Sequence, residues 1–148
     1  MIYTTQEIFS IFHSISKKLF DRNHLAQRIN LFPIDSKMRY IVEYRINKDD
    51  TDYIPPACYI LPPDNQIVLC LEIINNYVRF LPSIISDLFV KYLLIHESFH
   101  SVLYSKYKNI DEEEIGIEFL MFKKYTLIFF VGSLILVIFH KTAQNRLV

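Results

Sequence analysis

Glycine is almost absent from this chain of 148 residues, which contains only Gly116 and Gly132. Two glycines cannot build the glycine-rich loop that holds nucleotide phosphates, and the G-x-S-x-G sequence of a serine nucleophile does not occur. An excess of charge is also lacking, because 16 lysine and arginine residues balance 16 aspartate and glutamate residues. We therefore expect no nucleic-acid partner, since such proteins carry a basic surface.

Cysteine is scarce too, with Cys58 and Cys70 as the two in the chain. They do not form a C-x-x-C motif. They flank a predicted hairpin, where two reduced and buried thiols are the main expectation and a cross-strand disulfide is the alternative. The first residues lack a basic segment followed by an apolar run, so no secretory signal is seen. The compartment stays open between the cytoplasm and a membrane surface.

Apolar residues, in contrast, make up 51% of the chain, and a run that is apolar apart from Thr126, Gly132 and Ser133 covers Tyr125–Phe139. As a helix this run would span about 22 Å, which is shorter than a hydrocarbon core of about 30 Å. The short length favours a buried helix, whereas apolarity on every face favours a membrane contact or anchor. We accordingly divide the chain into a domain at residues 1–122 and a C-terminal helix and tail at residues 123–148.

The stretch His96-Glu97-Ser98-Phe99-His100 reads H-E-x-x-H and carries the strongest functional signal. It lies in a region, Ser83–Tyr107, that has the apolar spacing of a helix and contains neither proline nor glycine. Residues four apart share a helix face, so His96 and His100 can present two imidazoles to one metal ion. The carboxylate of Glu97 would then lie within reach of water at that ion, as a zinc hydrolase requires.

An acidic segment follows this helix and includes Glu113, Glu114 and Glu118. With H-E-x-x-H it resembles the gluzincin zinc metallopeptidases, above all the minigluzincins and the ImmA/IrrE-type peptidases. The resemblance implies that His96, His100 and Glu114 bind Zn²⁺, that Glu97 is the general base, and that Glu118 supports a ligand. Glu113 or Glu118 is the alternative third ligand, because the residues after Glu114 depart from the family pattern. The acidic run also suits a helix N-terminus, which attracts negative charge.

The fold class that we predict is α+β, with a zincin-like arrangement of two metal-site helices, an N-terminal helix and a small antiparallel sheet. The N-terminal helix is expected at Thr5–Phe20. Strands are expected at Met38–Ile46, Ala57–Leu61 and Gln66–Leu71. In zincin folds a strand at this place borders the cleft and pairs with an extended peptide, so the resemblance implies a peptide or protein substrate.

The resulting hypothesis is zinc-dependent hydrolysis of peptide bonds, with Glu97 as the general base. Two alternatives stay open at this point. One is a metal-binding regulatory or partner-binding module without general protease activity. The other is a small membrane protein in which the H-E-x-x-H sequence is fortuitous.

Overall fold

The computed structural model of the protein describes residues 2–19, 29–46, 54–107, 123 and 125–146. These residues form five helices and a three-stranded sheet, so the fold class is α+β, as predicted. In chain order the elements are α1 (Thr5–Leu19), β1 (Asn30–Ile34), α2 (Lys37–Tyr44), β2 (Ala57–Ile60), β3 (Gln66–Cys70), α3 (Leu71–Val78), α4 (Ser83–Tyr107) and α5 (Thr126–Arg146).

The sheet has the strand order β1-β3-β2 and is mixed, which corrects the prediction of an antiparallel sheet. β2 runs antiparallel to β3, as the predicted hairpin requires, and Ala57 pairs with Leu69. β1 runs parallel to β3, with Leu31 opposite Ile67. The parallel pairing arises because the chain passes through α2 and β2 between these two strands. Among the strands of the described residues, β2 therefore lies at one edge of the sheet.

The central strand β3 is apolar on both faces and separates two hydrophobic cores. Ile67 and Leu69 point into the larger core, with α1, α4 and α5. Val68 and Cys70 point into a smaller core around the buried ring of Tyr40 on α2. Successive side chains of a strand alternate between faces, so one continuous apolar run can supply both cores.

Helix α4 lies at the centre of the larger core. It packs against β2 and β3 on one side and against α1, α3 and α5 on the others. Phe89 and Leu94 on this helix are fully buried. The surrounding elements hold the helix on several sides, so side chains near its middle have fixed positions relative to the sheet.

Helix α5 packs along α4 through a close approach at Gly132. A Cβ atom placed on Gly132 would overlap the side chain of Tyr92 on α4, so a residue without a side chain is needed there. Ile135 is buried in the same core, and the ring of Phe139 stacks on Tyr77 at the end of α3. Within the described residues, no helix combines the length and the apolarity that crossing a membrane would need.

The N-terminal helix and its start are confirmed. The backbone N–H of Thr4 donates to Glu7 Oε2 at 2.7 Å, and the backbone N–H of Glu7 donates to Thr4 Oγ1 at 3.3 Å. This reciprocal pair is a capping box, which satisfies N–H groups that have no partner inside the helix.

The strand predicted at Met38–Ile46 is wrong, because helix α2 occupies this part of the chain. Ser36 Oγ caps the helix by accepting from the backbone N–H of Arg39 at 3.3 Å. One turn on, Arg39 Nε donates to Glu43 Oε1 at 2.8 Å, a contact between residues four apart that a helix allows. The alternating apolar pattern was misleading, since Val42 on the supposed buried face is 66% exposed.

The two cysteines are free thiols, in agreement with the main expectation from the sequence. Cys58 lies opposite Val68 in the hairpin, whereas the backbone N–H of Cys70 donates to the carbonyl of Pro56 at 2.9 Å. The two residues are therefore offset along the strands. Burial raises the pKa of Cys58 to about 11, so its thiol stays protonated at neutral pH.

Candidate functional site

The two histidines of H-E-x-x-H point to a common place on α4. Their spacing of four residues puts them on one helix face, and His96 Nε2 lies 3.2 Å from His100 Nε2. The ring centroids are 4.9 Å apart, with the ring planes at 74°. The imidazoles thus converge through their Nε2 atoms and do not stack on each other.

Glu97 lies beside this pair and is 7% exposed. Its Oε2 is 4.0 Å from His100 Nε2, too far for a hydrogen bond but close enough to share a bound water or ion. The three side chains each offer one ligand atom, and these atoms lie within 4.8 Å of one another. In the described part of the chain this is the group of residues that could hold a metal ion.

Burial fixes the charge state of both histidines. It lowers the pKa of His96 to about 4, with a further contribution from His100, and it lowers the pKa of His100 to about 4 as well. The cause is that a charged imidazolium loses hydration in the interior. Both rings are consequently neutral at pH 7 and keep the lone pair that a metal ion binds.

The geometry of the pair fits a tetrahedral ion. Two nitrogen ligands at about 2.0–2.1 Å from tetrahedral zinc lie about 3.3–3.4 Å apart. The observed separation of 3.2 Å between the two Nε2 atoms is close to this value. A hydrogen bond between two neutral imidazoles would give a similar distance, so zinc content distinguishes these two arrangements. The His/Glu/His group can therefore bind a metal ion, and its geometry leaves the identity of that ion open.

Strand β2 borders the site and supplies an aromatic wall. The ring of Tyr59 stacks on the ring of His100, with centroids 6.3 Å apart and planes at 4°. The Tyr59 hydroxyl donates to Asn65 Oδ1, which also accepts from Ser101 Oγ on α4 at 3.2 Å. Asn65 has a left-handed backbone, with φ at 48°, in the turn between β2 and β3. The hairpin is thus tied to the helix one residue beyond His100.

The other histidine has an aromatic neighbour on α4 itself. The Tyr92 ring lies 5.8 Å from the His96 ring, at an angle of 41°. Tyr92 is also the residue that contacts Gly132, so helix α5 is in direct contact with the wall of the site.

Sequence reasoning found the three residues on α4 but missed Tyr59 and Asn65. A signal was present for Tyr59, because it alternates with Cys58 in a predicted strand and Ala57 and Tyr59 share a face. For Asn65, the signal was its place at the end of a proline-rich turn, where asparagine tolerates a left-handed backbone. Neither signal alone indicated which face of the hairpin would meet α4.

The proposed third ligand cannot be placed, because Glu113, Glu114 and Glu118 lie outside the described residues. Their assignment therefore stays a prediction from the sequence. Comparison of the chain with protein-family models, with curated proteins and with solved structures gives no significant match.

Proposed function

We propose that the protein is a zinc-dependent metallopeptidase of the gluzincin type. The observation that carries the proposal is the convergence of His96 and His100, with their Nε2 atoms 3.2 Å apart and the Glu97 carboxylate 4.0 Å from one of them. Hydrolysis at a zinc ion uses this combination of neutral imidazole ligands and a carboxylate that is not itself a ligand.

In this proposal His96 and His100 hold Zn²⁺, and Glu114 completes the set, with Glu113 or Glu118 as the alternative. Bound zinc would lower the pKa of water towards ~7 and polarise the carbonyl of a peptide bond. The histidines can bind at neutral pH without losing a proton, because burial already keeps both uncharged. A dicationic ion with two neutral ligands favours an acidic third ligand, which the segment after α4 can supply.

Glu97 acts as the base in the proposed reaction. Its carboxylate takes a proton from the attacking water and passes it to the leaving amine, so that one C–N bond is cleaved and one C–O bond is formed. The carboxyl group is buried beside the histidines, so it is shielded from bulk solvent and would lie within reach of a water molecule bound there. A base of this kind contributes about 10²–10⁴-fold to the rate.

The edge strand β2 provides a place for an extended peptide. Tyr59 in this strand stacks on His100, so the edge runs directly beside the proposed zinc ligands. A peptide that added to the edge as a further strand would bring its backbone carbonyl groups to the His96–His100 pair. This placement favours a peptide or protein substrate over a small molecule.

Metal removal and restoration test the proposal. The purified protein is expected to contain about one zinc ion per chain and to cleave an unstructured protein such as casein or members of a peptide library. Dialysis against a chelator should abolish cleavage, and one equivalent of zinc should restore it. Cleavage that persists in the zinc-free protein would exclude the metallopeptidase. A stoichiometric zinc ion without cleavage of any substrate would favour the metal-binding module.

Tyr59 provides a finer prediction about ligand orientation. Tyr59→Ala, which removes both the ring stack and the hydrogen bond to Asn65, should weaken zinc binding by about 10-fold, the lower range for outer partners of metal ligands. Tyr59→Phe keeps the ring and should have a smaller effect. Competition with a chromophoric chelator measures both affinities. Equal affinity of Tyr59→Ala and the wild type would show that the stack does not orient His100.

A further inference from the structure

Helix α5 has two apolar faces, and one of them is exposed. The buried face includes Gly132 and Ile135, which pack on α4. The opposite face is exposed at five large apolar side chains, namely Leu127 (64%), Phe130 (61%), Leu134 (48%), Val137 (51%) and Ile138 (51%). At 100° per residue these five positions fall within an arc of about 100°, and they extend over about 17 Å of the helix axis. We call them the outer face of α5.

The outer face is unusual for a surface in contact with water. Large contiguous apolar patches on a protein surface often mark interaction sites. The segment Thr126–Phe139 contains two polar residues, Thr126 and Ser133. The hydroxyl of Ser133 donates to the carbonyl of Phe129 at 2.7 Å, so its hydrogen bond is made within the helix. Neither residue gives this face a charge.

The charged residues that flank α5 or lie within it in the sequence are all basic. All 16 acidic residues of the chain precede Phe119, whereas four of the 16 basic residues follow it, namely Lys123, Lys124, Lys141 and Arg146. Two of them precede the helix and two lie in its last turns. The chain as a whole is neutral, but its segment after Phe119 carries four basic and no acidic residues, so both ends of this apolar helix have a net positive charge.

These observations decide between two occupants of the outer face. A second copy of the chain that paired α5 with α5 would bring four positive charges against four, in either relative orientation of the helices. An anionic lipid surface accepts both features at once, because its acyl region takes the apolar side chains and its headgroups attract the lysine and arginine residues.

We propose that α5 lies flat on an anionic lipid surface, with its outer face in the headgroup and acyl boundary and its buried face on the protein core. The packing of Gly132 against Tyr92 holds the helix to α4, so the domain remains attached to the helix on the lipid. Since Tyr92 also contacts His96, this arrangement would hold the candidate metal site close to the membrane surface. The lipid contact itself does not depend on whether the site holds zinc.

Vesicle sedimentation of the full chain tests the proposal. The affinity of the wild type for vesicles of phosphatidylcholine and phosphatidylglycerol should be at least 10-fold higher than its affinity for vesicles of phosphatidylcholine alone. Raising the salt concentration from about 50 to 500 mM should weaken binding, because salt screens the attraction between the basic residues and the anionic headgroups. Binding that is equal on neutral vesicles, or absent from both, would overturn the proposal.

A matched pair of variants separates the outer face from general effects of charge. Phe130→Glu with Leu134→Glu should lower the affinity for anionic vesicles by at least 10-fold. Met38→Glu with Val42→Glu on α2 changes two exposed apolar residues at the same spacing and adds the same charge. This control should bind lipid to within about twofold of the wild type, apart from a small general effect of net charge.

Three outcomes would count against the flat arrangement. Equal loss in both variants would show that the outer face has no special role. Resistance of vesicle-bound wild type to alkaline carbonate extraction would show that the helix is inserted across the bilayer. A dimer in the absence of vesicles, dissociated by the Phe130→Glu and Leu134→Glu changes, would show that a second copy covers this face. Circular dichroism of both variants checks that the changes leave the fold intact.

Discussion

Replacement of Glu97 by glutamine is expected to lower the rate of peptide hydrolysis by about 10²–10⁴-fold while zinc remains bound. Glutamine has nearly the same shape as glutamate, so the buried space beside His100 stays filled. The amide cannot accept a proton from water at neutral pH. Since neither histidine is changed, two of the proposed zinc ligands keep their positions.

The measurement compares the turnover rate and the zinc content of wild type and Glu97→Gln. Glu43→Gln is the matched control, because Glu43 is an exposed carboxylate on α2 that bonds to Arg39. It should leave both quantities within about twofold of the wild type. Hydrolysis that proceeds at the wild-type rate in Glu97→Gln would remove Glu97 from the reaction. Loss of zinc together with hydrolysis would make Glu97 a ligand and not the base.

The elements that the sequence predicted best are those in which several signals agree. Helix α4 combines a helical apolar period with the absence of proline and glycine over Ser83–Tyr107, and it has these bounds in the structure. Helix α1 combines the same period with the capping box of Thr4 and Glu7. In the hairpin, prolines and polar residues mark the turn between two apolar runs. Local preferences and tertiary packing favour the same conformation at each of these places.

The two elements that were missed are those in which the signals conflict. Segment Met38–Ile46 alternates like a strand, but the cap at Ser36 and the pair Arg39–Glu43 favour a helix, in which Tyr40 is buried. Strand β1 contains Pro33, which usually argues against a strand. Proline has no backbone N–H and cannot donate to a neighbouring strand. A strand at the sheet edge has a neighbour on one side only, so a proline is tolerated there. The edge position depends on the whole topology.

The candidate site shows the same division between local and distant information. His96, Glu97 and His100 lie on one helix, so their proximity follows from helical geometry alone. Tyr59 reaches His100 through the packing of β2 on α4, a contact between residues 41 positions apart that no local pattern encodes. The third ligand depends on the path of the chain after α4, so it too is a question of tertiary structure.

Loss of either histidine is expected to weaken zinc binding by more than about 100-fold. The reasoning is that changes in residues that merely orient a ligand already cost about 10–100-fold, and a ligand itself contributes more. His96→Ala and His100→Ala should each purify with substoichiometric zinc, whereas wild type should hold about one equivalent. Elemental analysis gives the stoichiometry, and titration against a chromophoric chelator gives the affinity.

His13→Ala is the matched control for these variants. His13 is an exposed residue on α1, so its removal should leave zinc binding unchanged to within about twofold. The same series is extended to the three glutamates after α4, as Glu113→Gln, Glu114→Gln and Glu118→Gln. The variant with the largest loss of zinc affinity identifies the third ligand. A wild-type protein without zinc, or a His96→Ala variant that binds zinc as the wild type does, would contradict the proposed metal centre.

The pH dependence of zinc binding gives the same prediction a second readout. Protons compete with zinc for an imidazole, and a lower pKa weakens this competition. Because the pKa values of His96 and His100 are lowered to about 4, zinc should stay bound as the pH falls from 7 to about 5. A pair of solvated histidines, with ordinary pKa values near ~6.5, would already be largely protonated at pH 5. A zinc affinity that falls by about 10-fold between pH 7 and pH 6 would therefore show that the two imidazoles titrate as hydrated groups, and that the burial on which their neutrality depends is absent.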